Sequence, residues 1–528
     1  MKERRERDVT KPIPQEEIER RRRENRTQTH TDSRADERTR THTEKKHSKK
    51  KSRNKQKKAS TGKEYVFIAY SFVGIFLALI GYLVYFNVEL KDTYANSPYN
   101  SKRQGIYQEK VVKGNILAND GEELAITVTN EDGTESREYP YGRVFAHVVG
   151  YSASGVSGLE QNMNSVLLTS HTNMLEQVGN DVMNQKSVGD NVITTLDVEL
   201  QKTAYEALGD YKGAVVVMEP DTGKILAMVS KPDFDPNTIA NDWESITADA
   251  NSSILVNRAT QGQYPPGSIF KIITSLAYWQ QNNTLSNFHI NCTGEVEHGG
   301  YTIHCYKNST HGEEDFATAF AKSCNTAFAE IGVSLDKKQY TETVEALLFN
   351  KDLPLEISYR QSQFTLDSSS GDALTMQTAI GQGNTLVTPL HMAMITSAIA
   401  NGGNMMTPYF VERIETYNGG TVKEYTPKSY AKVMTAQEAE ILTELMTGVV
   451  ENGTATKLAG RGYTAAGKTG TAEHGDVSVT TPHSWFVGFS NVEDPDLVVC
   501  VVAEEAGAGS EVAVPIAGRI FDAYYASR

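Results

Sequence analysis

Between residues 65 and 86 the chain runs for 22 residues without a charged side chain. As a helix this stretch spans about 33 Å, at roughly 1.5 Å per residue, enough to cross a bilayer. Gly74 and Gly81 are compatible with such a helix. The charge of the chain divides at the same place. Residues 1–63 carry 23 Lys and Arg against 11 Asp and Glu, a net of +12. The remainder carries 29 against 55, so the overall −14 hides a basic tail on an acidic protein. The tail is polar, cannot bury a core, and is expected to be disordered. Its densest part is residues 45–58. A nucleic-acid-binding arm has a similar composition, but basic residues directly before an apolar span read as a topology signal with added attraction to anionic lipid. The positive-inside rule then puts the tail in the cytoplasm and everything after Asn87 outside. No nucleic-acid partner is expected. The length and late start of the apolar run speak against a cleaved signal peptide.

Further on, Tyr264-Pro265-Pro266-Gly267-Ser268-Ile269-Phe270-Lys271 precedes an apolar run of helical spacing. Two prolines and a glycine make a rigid turn, so Ser268 is expected at a helix start, among unpaired backbone N–H groups. Lys271, three residues on, shares its face. A hydroxyl beside an amine there can serve as nucleophile and base, if desolvation against Phe270 and Ile272 lowers the proton affinity of the lysine. An isolated S-x-x-K is common by chance. Here two more motifs follow in order: the S-x-N of Ser323-Cys324-Asn325, and the K-T-G of Lys468-Thr469-Gly470, continued by Thr471. These three belong together in β-lactamases and penicillin-binding proteins. The chain resembles the transpeptidase domain of class B penicillin-binding proteins.

Residues 111–125 read as two short strands around an Asn119-Asp120-Gly121 turn. They resemble the pedestal segment of class B proteins, with Lys113 in place of an arginine and Asn119-Asp120 in place of Asp-Arg. Residues 139–168, including Gly158-Leu159-Glu160, also resemble a pedestal, in particular that of the penicillin-binding protein A branch. With about 100 residues this module leaves no room for a glycan-polymerising domain. A spacer that lifts the catalytic domain off the membrane is expected, a docking surface for a membrane partner being the alternative.

Residues 197–208 have helical periodicity behind an Asp. Two β-rich runs, 213–219 and 224–230, flank a Pro220-Asp221-Thr222-Gly223 turn. Comparable runs return only near the C-terminus, at 463–473, 484–489 and 497–504, before an amphipathic stretch over 514–525. The economical arrangement is α/β: one five-stranded, mainly antiparallel sheet built from both ends of the domain and flanked by helices, with a helical subdomain between. This is the architecture of the penicillin-recognising serine transpeptidase fold. A helix is expected over 317–328, carrying Ser323 and Asn325, and another over 389–400, with proline at its start and glycines beyond its end. Gly470 is expected to leave room for a substrate backbone beside its strand. The layout expected is a basic cytoplasmic tail over 1–63, a transmembrane signal-anchor helix over 64–86, an extracellular pedestal over 87–190 and a transpeptidase domain over 191–528.

Cys292 and Cys305 have 12 residues between them, with Gly299-Gly300 midway. In an exported domain they are either a disulfide, which contributes roughly 3 kcal/mol for a loop of this size, or two buried thiols. Cys324 and Cys500 read as packing residues, and the spacing of the four cysteines does not read as a metal site. His304, His311, His474 and His483 are scattered and read as structural.

The resemblance implies a substrate, the D-Ala-D-Ala end of a peptidoglycan stem peptide, and a reaction. Ser268 attacks the penultimate carbonyl, Lys271 takes its proton, Ser323 relays a proton to the leaving amine, and Asn325 holds the substrate amide. Lys468 and Thr469 suit a terminal carboxylate, and the backbone N–H groups of Ser268 and Thr471 form the oxyanion hole. An amine from a neighbouring stem peptide resolves the acyl-enzyme. No metal or cofactor is called for, β-lactams should acylate Ser268, and the expected partners are the plasma membrane and a membrane glycan polymerase. Three other readings are a D,D-carboxypeptidase or β-lactam-hydrolysing enzyme, a non-catalytic cell-wall scaffold, and a β-lactam sensor. The membrane span and pedestal, the three intact motifs, and a tail unsuited to signalling weigh against them in turn.

Overall fold

The computed structural model describes residues 62–86, 109–249, 252–474 and 480–527. The expectation for the basic tail and that for the start of the pedestal fall largely outside the described residues. The chain divides into two units near Tyr82. In the first, the uncharged run forms the helix Gly62–Tyr85. Its stretch Tyr65–Tyr85 is long and apolar enough to cross a membrane, with every side chain exposed.

The second unit holds a five-stranded sheet: β1 (Gly213–Met218), β2 (Ile225–Lys231), β3 (Ala465–Ala472), β4 (His483–Ser490) and β5 (Leu497–Ala503). Their order is β3-β4-β5-β1-β2 and every pair is antiparallel. β1, β4 and β5 are buried along their whole length, which is why they read as nearly unbroken apolar runs rather than as alternations. Helices Val198–Leu208 and Ala513–Ala526 pack on the sheet and on each other. The Asp197 side chain caps the first by accepting from the Leu200 N–H at 2.9 Å. Helix Pro389–Ala400 packs on β1 and β5 and is buried at every position but its last, as its all-round apolar composition requires.

The expected helix over 317–328 is instead two, α2 (Phe316–Ala321) and α3 (Asn325–Ser334), which follow α1 (Lys271–Asn282). The break falls at Ser323, whose φ of +59° is left-handed and cannot continue a helix. Cys324 then caps α3, its sulfur accepting from the Ala327 N–H.

The pedestal turn forms as expected, with Ile116 pairing Ala125 across it. The sheet around it has six strands, however, and two of them come from far along the chain. Val411–Glu415 pairs with Asn191–Thr194, and Thr421–Glu424 forms the edge beyond. The sheet therefore spans residue 190. Glu160, fully buried, ties the pedestal segments together through Lys113 at 2.6 Å and Arg137 at 2.7 Å.

Candidate active site

Ser268 lies in the 3₁₀ turn Gly267–Phe270, and Lys271 opens α1 directly behind it. Side chains three apart eclipse in a 3₁₀ turn, so the two share a face, as their spacing predicts. Two glycines let this turn close on strand β3. A Cβ on Gly267, at φ +55°, would lie 3.0 Å from Ala472 Cα and from the Thr471 carbonyl oxygen. A Cβ on Gly470 would lie 2.9 Å from Trp485 Cβ and 3.0 Å from the Pro266 carbonyl oxygen. The space at Gly470 is thus filled by the nucleophile turn, and the expectation that it is left for a substrate backbone is corrected. Ile269 is fully buried.

Lys271 is fully buried. Its Nζ donates to the Ser323 carbonyl at 2.7 Å, to Asn325 Oδ1 at 2.9 Å and to Ser323 Oγ at 3.3 Å. These use all three donors of an ammonium, so deprotonation is needed before Nζ can accept from Ser268. Burial pushes this amine down to about 8, against the opposing pull of Cys324, Cys305 and Glu314. Asn325 Nδ2 donates to the His304 carbonyl at 3.0 Å, which pins the motif at both ends of the amide.

Strand alternation separates the third motif into two faces. Thr469 and Thr471 line the cleft, Thr469 sharing a 2.6 Å hydrogen bond with Thr454. Lys468 is fully buried, with Nζ 5.5 Å over the Phe320 ring and 3.3 Å from the Thr469 carbonyl. Burial, then the charge of Lys271, holds its amine well below the usual lysine range. It is not among the residues lining the cleft, whereas Thr469 and Thr471 are. The cleft holds about 800 Å³, with Ser268, Ser323 and Asn325 among its lining residues. Glu473 is the single carboxylate among its described lining residues.

Cys292 and Cys305 are two buried free thiols, one of the two states expected for them. Cys292 Sγ and Cys305 Sγ are 3.7 Å apart, far beyond the roughly 2.05 Å of a disulfide. Cys324 Sγ lies 3.8 Å from Cys305 Sγ, and His311 Nδ1 lies 3.3 Å from Cys292 Sγ. All four ligand-type atoms fall within 4.8 Å of one another. Cys324 is packed in a small core, as expected, but it and His311 also belong to a compact group of three cysteines and one histidine that the spacing of the cysteines does not reveal. Their spacing hides the cluster, because it is made by strand register: Cys292 pairs with Gly312, next to His311. Cys500 is a buried core residue of β5, as expected.

A serine at a helix start, a buried lysine behind it, a second serine and an amide on that lysine, and a threonine-bearing strand edge define a serine acyltransferase of the penicillin-recognising class. The family model described as penicillin binding protein transpeptidase domain matches residues 213–522, and that of the penicillin binding protein A dimerisation domain matches 113–192. The chain belongs to the penicillin-binding protein transpeptidase family. The peptidoglycan D,D-transpeptidase PbpA of Mycolicibacterium smegmatis is 34% identical over 438 residues, covering 76% of this chain and 87% of that protein. Penicillin-binding protein A from Mycobacterium tuberculosis, solved as an imipenem acyl-enzyme, superposes with a TM-score of 0.73 at 29% identity, over 80% of this chain and 99% of that one. The D,D-transpeptidase domain of a peptidoglycan glycosyltransferase from Eggerthella lenta gives 0.71 at 32%, over 79% and 98%.

Proposed function

We propose that this chain is a membrane-anchored peptidoglycan D,D-transpeptidase that works through a Ser268 acyl-enzyme. The observation that carries this reading is the gathering of Ser323 and Asn325 on the buried Lys271 amine at the floor of the cleft that Ser268 lines. The neutral Lys271 amine takes the Ser268 Oγ proton as Oγ attacks the penultimate D-Ala carbonyl. The bond to the terminal D-Ala breaks, and its amine receives a proton through Ser323 Oγ. Backbone N–H groups of Ser268 and Thr471 stabilise the oxyanion, a contribution that is typically worth on the order of 10²–10³ in turnover per donor. Asn325 orients the substrate amide. Thr469 and Thr471 hold the terminal carboxylate, with the buried Lys468 behind them. An amine from a second stem peptide then attacks the acyl-enzyme and forms the cross-link. β-Lactams are taken up by the first half of this sequence and stop there, as in the imipenem acyl-enzyme of the M. tuberculosis relative.

The helix Gly62–Tyr85 serves as a single-pass anchor with the basic tail in the cytoplasm and the catalytic domain outside. The layout is tail 1–63, anchor 64–86, pedestal 87–190 and transpeptidase domain 191–528, with a membrane glycan polymerase as partner. Labelling membranes with a fluorescent penicillin tests the site. Ser268→Ala is expected to abolish the labelled band, and Lys271→Ala to slow labelling by roughly 10²–10⁴, the usual value of general-base help. An unchanged band in the Ser268 variant would sink the nucleophile assignment.

A further inference from the structure

Segment 289–315, which leads into the S-x-N motif, meets the main core through Ile303 and is otherwise tied down by hydrogen bonds, from Gln377 to Tyr301 at 2.6 Å and between His298 and Glu330 at 3.0 Å. It consists of two separate two-stranded ribbons, His289–Cys292 with Gly312–Asp315 and Glu295–His298 with Tyr301–His304. Two-stranded ribbons are at best marginal alone in water. The small core beneath them is Cys292, Cys305, Ala319, Cys324 and Ala327, with Phe288 and Ile290 packed against it. Three of its five members are thiols, and His311 adds an imidazole nitrogen to the same point.

We propose that Cys292, Cys305, His311 and Cys324 form a structural zinc site that fixes the S-x-N motif against Lys271. Zinc with sulfur at about 2.3 Å and nitrogen at about 2.0–2.1 Å sits in a tetrahedron whose edges are about 3.5–3.8 Å. Three of the six edges are 3.7 Å and 3.8 Å between sulfurs and 3.3 Å between Cys292 Sγ and His311 Nδ1, and all six are within 4.8 Å. The ligands come from four places: the end of one strand, the residue after another, the residue before a third, and the cap of α3. A metal there ties these segments together. Three thiolates and one imidazole are a soft, closed set, which suits zinc in a structural rather than a catalytic role.

The surroundings fit thiolates. Thr326 Oγ1 lies 3.1 Å from Cys324 Sγ and 3.2 Å from Cys292 Sγ, and the Ala327 N–H points at Cys324 Sγ from 3.4 Å. Binding exchanges protons for metal: each coordinating thiol loses its proton to solvent as its sulfur bonds to zinc. Cys324 is the central residue of the S-x-N motif. Anchoring its sulfur fixes the left-handed Ser323 on one side and Asn325 on the other, and these two hold Lys271. These four residues act as positioning groups, Cys305 and His311 from the wall of the cleft itself.

The test uses the full chain, purified in detergent without chelators and dialysed against zinc chloride. Mass spectrometry of the metal is expected to give one zinc per chain. X-ray absorption at the zinc edge should show three sulfurs and one nitrogen. Cobalt substitution should bring thiolate charge-transfer bands. Thr326→Val, which keeps the shape and removes the hydroxyl, is expected to weaken zinc binding about 10–100-fold, as loss of a ligand's outer partner does. Cys305→Ser and His311→Ala should lose the cobalt spectrum. Chelator-stripped protein should acylate with penicillin more slowly and recover with zinc. No zinc uptake, a peptide map showing Cys292 bonded to Cys305, or fewer than three sulfurs at the metal overturns the site. Equal acylation rates with and without zinc overturn its role in positioning the motif. Metal content is read independently of penicillin labelling, so a failure here leaves the proposed function standing.

Discussion

Burial brings the Lys271 amine down to about 8, and this sets the pH at which Ser268 can be activated. At pH 7 about a tenth of such an amine is neutral, against well under a thousandth for a lysine of ordinary pKa. Only the neutral form can accept the Ser268 proton, so the sign is fixed. The second-order rate of penicillin acylation should rise about tenfold per pH unit below pH 8 and level off above it. A profile that is flat or falls over pH 6–8 in stopped-flow labelling would remove Lys271 as the base. The placement of Ser268 in a helix-start turn with Lys271 three residues on was legible in the sequence, because a spacing of three fixes a shared face in any helical turn. The left-handed Ser323 was not. Nothing in Lys322-Ser323-Cys324 signals that conformation, which directly precedes the Cys324 cap of α3. Lys468 was legible as a motif member but not as a buried one, since period-two alternation gives two faces without saying which faces the cleft.

Among the elements, the central sheet was legible because β1, β4 and β5 are buried on both faces and contain little but apolar residues. The six-stranded pedestal sheet was legible only in part. Val411–Glu415 and Thr421–Glu424 are short, half-polar strands, and no local pattern joins them to a partner more than two hundred residues earlier. The closeness of β3 to the nucleophile turn rests on Gly470. Gly470→Ala places a Cβ against Trp485 and the Pro266 carbonyl. It should destabilise the protein by about 1–3 kcal/mol, as overpacking does, and slow acylation by displacing Ser268. Thermal unfolding and labelling rates on the same preparation check both effects. In the pedestal, burial alone would raise the Glu160 carboxyl, but Arg137 and Lys113 together hold it below its ordinary value. Such a group stabilises the fold above its unfolded pKa, and the contribution is lost as pH falls through its depressed folded pKa. Glu160→Ala, which leaves two buried cations unmatched, should lose about 3–5 kcal/mol at pH 7. Denaturant unfolding at pH 7 and at pH 3 should show the gap between variant and wild type shrinking at the lower pH.

For the molecule as a whole, the question is what resolves the acyl-enzyme. A hydrolase needs a group that activates water on the acyl carbonyl. On the proposed mechanism Lys271 carries the Ser268 proton only until Ser323 passes it to the leaving amine, after which an incoming amine can use the same route in reverse. An amine is the better nucleophile and brings its own proton to that route, whereas water needs a stronger base. Glu473 is the single carboxylate on the described wall of the cleft, and its backbone faces the Gln382 amide at 3.0–3.1 Å. No hydrogen bond connects its carboxylate with Ser268 or Lys271 among the described residues. Water should therefore be a poor acceptor. The purified full chain in detergent should hold a penicilloyl adduct for far longer than one catalytic turnover, and Glu473→Gln should leave the lifetime of that adduct unchanged. With a thioester or stem-peptide donor, added D-amino acid or stem amine should divert product from hydrolysis to aminolysis in proportion to its concentration. Mass spectrometry of the adduct over time and chromatography of the two products measure both effects. Hydrolysis that dominates at every amine concentration, with penicillin released in seconds, would make the chain a hydrolase on a transpeptidase fold.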